Sequence, residues 1–143
     1  MLVLISDPQH PLTYLVKDDP VRPEIPLEFR VSANRFMAAM VADRPEAMVC
    51  VSLHDFVPES VEDLSHGQGQ PDTAVFYTIW SYRPGAASAL LTQILPRIRL
   101  DHPHINRFIT LSPKTAMARQ FHLKNGAKIY RENQHTINYE YCV

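Results

Sequence analysis

Cysteine is scarce in this 143-residue chain, net charge is close to nil, and no apolar run is long, and each shortage excludes something. Two cysteines, Cys50 and Cys142, make no disulfide framework; both stand in runs that read as strands, so buried reduced thiols are expected and no metal site is. No apolar run approaches the roughly 18 residues of a membrane helix, and Met1 to Asp7 lacks the basic flank and length of a signal peptide. A soluble, cytoplasmic chain is the expectation. Fourteen Lys plus Arg against fifteen Asp plus Glu leave a net charge of −1, which argues against nucleic acid or an anionic membrane as partner. The length suits one globular core and is too short for two comfortable domains.

The balanced total hides an asymmetry. Met1 to Tyr82 carries five basic and twelve acidic residues, a net −7, whereas Arg83 to Val143 carries nine basic and three acidic, a net +6. Such a chain could offer a cationic face to a phosphate-bearing cofactor and an acidic face to an amine; equally, the two halves could simply attract each other.

Leu2 to Ser6 and Leu12 to Lys17 read as two small strands around Asp7-Pro8-Gln9-His10-Pro11. Three prolines between Asp18 and Pro26 forbid a regular helix and predict a loop leading into a helical turn at Leu27 to Val31. Arg35 to Ala42 and Ala47 to Phe56 form an expected hairpin, its second strand apolar enough to be covered on both faces. Val57 to Asp72 reads as the longest loop and the most mobile segment. Ala74 to Tyr82 is the clearest strand, dense in β-branched and aromatic residues, and stops at Arg83-Pro84-Gly85. Ala86 to Asp101 has a helical stripe that Pro96 should kink or split. Asn106 to Leu111 is a further strand, Pro113 suits the first turn of a helix running to Lys124, and Asn125-Gly126 suits its end. Lys128 to Glu132 and Thr136 to Cys142 close with a hairpin. The order specifies a single-domain mixed α/β (α+β) fold, with a mostly antiparallel sheet flanked by helices and with residues 1–34 poorly assigned.

Two places could carry chemistry. At the strand–Arg83-Pro84-Gly85–helix junction, small residues let backbone N–H groups and a helix N-terminus approach an anion. The alternative there is an ordinary turn. Ser112 stands at the carboxyl end of a strand, where open α/β sheets bind ligands, and His122 on the next helix could move a proton near neutral pH. Against this, Ser112 could cap the helix and His122 could pack on the sheet.

From Arg35 onward the order of elements resembles the GNAT acyltransferase superfamily. Within it, Ala74-Val75-Phe76-Tyr77-Thr78-Ile79, Thr110-Leu111-Ser112-Pro113 and Phe121-His122-Leu123-Lys124-Asn125-Gly126-Ala127 are most similar to the catalytic domain of malonyl-CoA decarboxylases. The resemblance implies that Thr78, Ile79, Trp80, Ser81 and Tyr82 splay from the neighbouring strand to bind the pantetheine arm of acetyl-CoA or another acyl-CoA. It implies that Arg83, Gly85, Ala86, Ala87 and Ser88 hold the pyrophosphate, although the glycine comes one residue earlier than the superfamily pattern. His122 occupies the place of the tyrosine that protonates the departing thiolate in acetyltransferases, and decarboxylase-like members carry histidine there with a catalytic serine matching Ser112. Only nine residues separate Ser112 from His122, whereas the decarboxylases have a long insertion.

The leading expectation is an acyl-CoA N-acyltransferase with His122 and Ser112 as catalytic residues and Glu28, His54 and Asp55 as candidate base and substrate-binding residues for a small-molecule or peptide amine. The alternatives are decarboxylation of malonyl-CoA, and a non-catalytic interaction protein, which the shifted glycine and the threonine at position 115 favour. A homodimer is left open.

Overall fold

The structure is a computed structural model and describes residues 1–67 and 69–142. Strands β1 (Leu2–Ile5), β2 (Arg35–Val41), β3 (Pro45–His54), β4 (Thr73–Ser81), β5 (Arg107–Thr110), β6 (Ser112–Pro113), β7 (Lys128–Glu132) and β8 (Thr136–Tyr141) form one eight-stranded sheet. The order is β1-β2-β3-β4-β5-β8-β6, with β7 on β8. Every pairing is antiparallel except β4 with β5, the two strands joined through helix α2 (Ala86–Asp101).

Alternation along the strands sends side chains to two cores. Val49, Val51, Phe76, Ile137 and Tyr139 pack under Leu90, Leu91, Ile94 and Ile98 of α2, with Phe121 of α3 (Ala116–Lys124) against the same layer. Met37, Met48, Cys50, Val75 and Tyr77 face the other way, under Leu15, Ile25 and Val31 of the amino-terminal segment. The segment that the sequence left unassigned is thus one of the two covers of the sheet. It explains why β3 is apolar on both faces.

Four expectations need correction. Leu12 to Lys17 is no strand: His10 Nδ1 accepts from Leu12 N–H and its carbonyl from Thr13 Oγ1, and the chain winds into a 3₁₀ turn at Thr13–Asp18. Pro96 does not split α2, because it faces solvent while the apolar stripe on the opposite side holds both halves to the sheet. Pro113 belongs to β6, opposite Thr136, and α3 begins at Ala116 with Thr115 Oγ1 accepting from Ala118 N–H at 3.1 Å. Cys50 is buried, its thiol pushed up to about 12 by burial, but Cys142 lies past the end of β8 and is exposed.

Candidate active site

The sheet opens in its middle. The β4–β5 register runs from Thr73↔Arg107 to Phe76↔Thr110, and the next rung, Leu111 N–H to Phe76 C=O at 3.0 Å, is followed by departure. Two local features drive the strands apart. Opposite β3 the register passes from Val51↔Phe76 to Cys50↔Thr78, leaving Tyr77 as a bulge that turns β4. On the far side the chain follows β8 instead of β4: Ser112 pairs with Ile137, while Thr110 Oγ1 accepts from Tyr139 N–H and its carbonyl from Asn138 Nδ2.

The gap is a cleft of about 330 Å³. One wall is Phe76 to Ser81; the other is Leu111, Ser112, Pro113 and α3, including Phe121 and His122. Ala87 and Leu91 of α2 reach one end, and Pro20 and Val21 cover the side of the amino-terminal segment. Met117, 82% exposed, is an apolar rim.

His122 is held tightly. The ring is buried, stacked on Tyr139 with centroids 5.0 Å apart, and its Nδ1 is 2.7 Å from the Tyr141 hydroxyl. Burial lowers its pKa to about 4 and raises that of Tyr141, so both are neutral at neutral pH. In the tautomer in which the phenol donates to Nδ1, the ring carries its own hydrogen on Nε2. Ser112 is also buried, and its hydroxyl donates to Thr110 Oγ1 at 2.8 Å. Both expected catalytic residues line the cleft, but His122 is engaged with Tyr141 and Ser112 with Thr110, so neither activates the other.

Of the expected coenzyme-binding residues, Thr78, Ile79, Trp80, Ser81 and Ala87 line the cleft. The Thr78 hydroxyl donates to Asp19 Oδ1 at 2.8 Å, which leaves its oxygen only as an acceptor for a ligand. Tyr82 lies outside, donating to Asp18 and accepting from Trp80 Nε1. Arg83 pairs with both Glu46 oxygens, at 2.8 and 3.1 Å, on the surface. Gly85 has φ +81°, where a side chain would be strained, and caps α2. The first intrahelical bond, Ala89 N–H to Gly85 C=O, leaves the amides of Ala87 and Ser88 at the helix tip beside Ala86 as free donors. This open β4 edge and glycine-led helix tip fit a pantetheine arm and its pyrophosphate.

The expected amine-side residues do not assemble here. His54 pairs across β3–β4 with Thr73, about 20 Å along the strand from Ile79. It is buried, with Nε2 2.6 Å from Ser52 Oγ and Nδ1 3.1 Å from the His66 carbonyl. Asp55 lies beside it, accepting from Gly69 N–H. Glu28 is exposed on α1 (Leu27–Arg30) and is not among the lining residues.

Sequence reasoning missed Asp19, Arg22, Thr110 and Tyr141. Tyr141 had a signal, since its alternation with Tyr139 puts both rings on one face of β8. The Asp19 carboxylate had none that local pattern could supply, because its partner Arg30 lies eleven residues away.

No family model matches the chain, and no curated protein matches it. Solved structures do. The chain is similar to malonyl-CoA decarboxylase from Agrobacterium vitis (TM-score 0.81, 21% identity, 99% of this chain and 60% of that one). It is also similar to a candidate GNAT-family acetyltransferase from Desulfovibrio desulfuricans (TM-score 0.66, 14% identity, 99% and 98%). A third is the PaiA N-acetyltransferase from Thermoplasma acidophilum in complex with coenzyme A (TM-score 0.56, 10% identity, 77% and 62%). The fold is therefore the GNAT fold, and the chain spans about 60% of the length of the Agrobacterium decarboxylase.

Proposed function

We propose that the cleft binds a coenzyme A thioester and that its chemistry is decarboxylation of a malonyl-type thioester, in preference to transfer of an acyl group to an amine. The observation that carries this is the lining itself: among the described residues it includes no carboxylate, and its histidine is held neutral. Transfer to an amine needs a base for the nucleophile and an acid for the thiolate. Glu28, His54 and Asp55 stand elsewhere, and a neutral imidazole is too weak an acid for a thiolate. The loop that covers the cleft at Pro20 and Val21 is tied down by Asp19 to Thr78 and by Arg22 Nη2 to the Leu111 carbonyl, 3.1 Å.

Decarboxylation asks for less. The carbon–carbon bond to the carboxylate breaks, carbon dioxide leaves, and the electron pair moves onto the thioester. The apolar walls Phe76, Leu91, Leu111 and Phe121 exclude water from that carboxylate. His122 Nε2 then supplies a proton to the carbon, a task within reach of a neutral imidazole, and recovers it from water. Ser112, its proton turned to Thr110, offers lone pairs to the ligand and acts in binding rather than as nucleophile. The amides of Ala87 and Ser88 hold the pyrophosphate, and the β4 edge holds the pantetheine.

The test is incubation with malonyl-CoA alone, followed by chromatography of the thioesters. Acetyl-CoA should form without any acceptor and without release of free thiol. His122→Gln should bind the thioester and slow turnover by about 100-fold or more. Thiol release from acetyl-CoA only when an amine is added, with malonyl-CoA left intact, would overturn decarboxylation in favour of N-acyl transfer.

A further inference from the structure

The mouth of the cleft is cationic on one side. Pro20, Ser81, Thr115 and Met117 are its exposed lining residues, so the cleft opens between the amino-terminal loop, the end of β4 and the start of α3. From Ser112 to Lys128 the chain carries Lys114, Arg119, Lys124 and Lys128 and not one Asp or Glu. All four cations are exposed and, among the described residues, none of them forms an ion pair. Other surface arginines are answered, Arg83 by Glu46, Arg97 by Asp101 and Arg107 by Glu140.

Along α3, Met117, Gln120 and Lys124 recur at intervals of three and four residues, which sets them in one exposed row beside the lining residue Phe121. Met117, 82% exposed, stands in that row between Lys114 and Lys124. An apolar side chain flanked by unanswered cations complements a partner that is acidic around an apolar patch. At the other side of the mouth the phosphate donors are the amides of Ala87 and Ser88, and the one cation of that junction, Arg83, is engaged with Glu46. Two amides serve the phosphate next to any pantetheine arm, and no charge at that junction is reserved for the nucleotide end of coenzyme A.

We propose that the thioester reaches this cleft on the phosphopantetheine arm of an acidic carrier protein, which docks on Met117 and the flanking Lys114 and Lys124, with the coenzyme A thioester as the poorer substrate. The bond to the carboxylate breaks, carbon dioxide leaves, the carbon takes its proton from His122, and the acetyl group stays on the carrier's arm. The inference rests on the reading of the cleft as a thioester decarboxylase, and the two can fail separately.

The probes are malonyl-CoA and a type II acyl carrier protein loaded with malonyl-phosphopantetheine, each assayed alone for release of carbon dioxide. At low salt kcat/KM for the carrier thioester should exceed that for malonyl-CoA by at least about tenfold, and the advantage should shrink as salt rises. Lys114→Glu combined with Lys124→Glu should lower the carrier value about tenfold and leave the malonyl-CoA value within about twofold. If the double variant does not fold, the wild-type ratio and its salt dependence decide alone. Malonyl-CoA consumed at least as efficiently as the carrier thioester, or charge reversal that slows both alike, overturns carrier docking and leaves the decarboxylase standing. Neither thioester consumed would remove the decarboxylase, and the docking with it.

Discussion

At the scale of single residues, the informative group is a histidine that stays neutral. His122 titrates at about 4 in the folded chain against an ordinary 6.5, so between those values the unfolded chain binds more protons. The stability gained by burying the neutral ring is complete above pH 6.5 and is lost as pH falls toward 4, a change of about 3 kcal/mol. His54, lowered in the same direction chiefly by burial, adds to the slope. The urea midpoint should be level above about pH 7 and decline through that window, and His122→Gln should flatten the decline. Turnover should decline in that window only as the folded fraction does, because protonating His122 removes no proton from the donor. A stability decline that is unchanged in His122→Gln would mean that the His122 ring does not carry the pH dependence.

At the scale of elements, the proposed coenzyme A site offers its phosphates two partners, Arg83 and the tip of α2. Arg83 is 57% exposed and clasped by Glu46, so a ligand must draw it away from that carboxylate. Arg83→Gln should weaken coenzyme A binding, and Glu46→Gln should strengthen it by about two- to fivefold at low salt, with the difference shrinking as salt rises. Calorimetry that finds neither variant altered would leave the Ala87 and Ser88 amides as the whole phosphate site. Elements were well marked in the sequence where one pattern dominates, as in β4 with its aromatic and β-branched run or in the closing hairpin of β7 and β8. They were misjudged where tertiary pairing overrides local preference. Pro113 looks like a helix start, yet β8 draws Ser112 and Pro113 into a strand, and that capture is what opens the cleft. Pro96 looks like a helix breaker, yet its place on the wet side of α2 leaves the freed Thr92 carbonyl in reach of water.

At the scale of the whole molecule, the uneven charge of the two halves resolves into contacts between them, Arg83 with Glu46 and Arg131 with Glu59 at 3.7 Å. A deeper join lies within the acidic half. Asp19 and Arg30, with fully buried side chains 2.6 Å apart, stand between the amino-terminal cover and the sheet. Arg30 also donates to the Ile25 carbonyl and contacts the Cys50 sulfur, so one guanidinium binds loop, turn and strand together. Long-range partners of this kind leave no local trace, which is why residues 1–34 resisted assignment. Asp19→Ala would strand the Arg30 charge in a dry interior and release Thr78, at a cost of about 3–5 kcal/mol. Asp19→Asn keeps the shape and one acceptor, and should cost less. Because the same carboxylate anchors the loop carrying Pro20, Val21 and Arg22, Asp19→Ala should also weaken thioester binding in the fraction that folds. Urea titration read by Trp80 emission, repeated with and without malonyl-CoA, separates the two effects. A shift below about 1 kcal/mol would mean that the amino-terminal cover is held by its apolar contacts, Leu15, Ile25 and Val31, and that the ion pair serves only to position the loop.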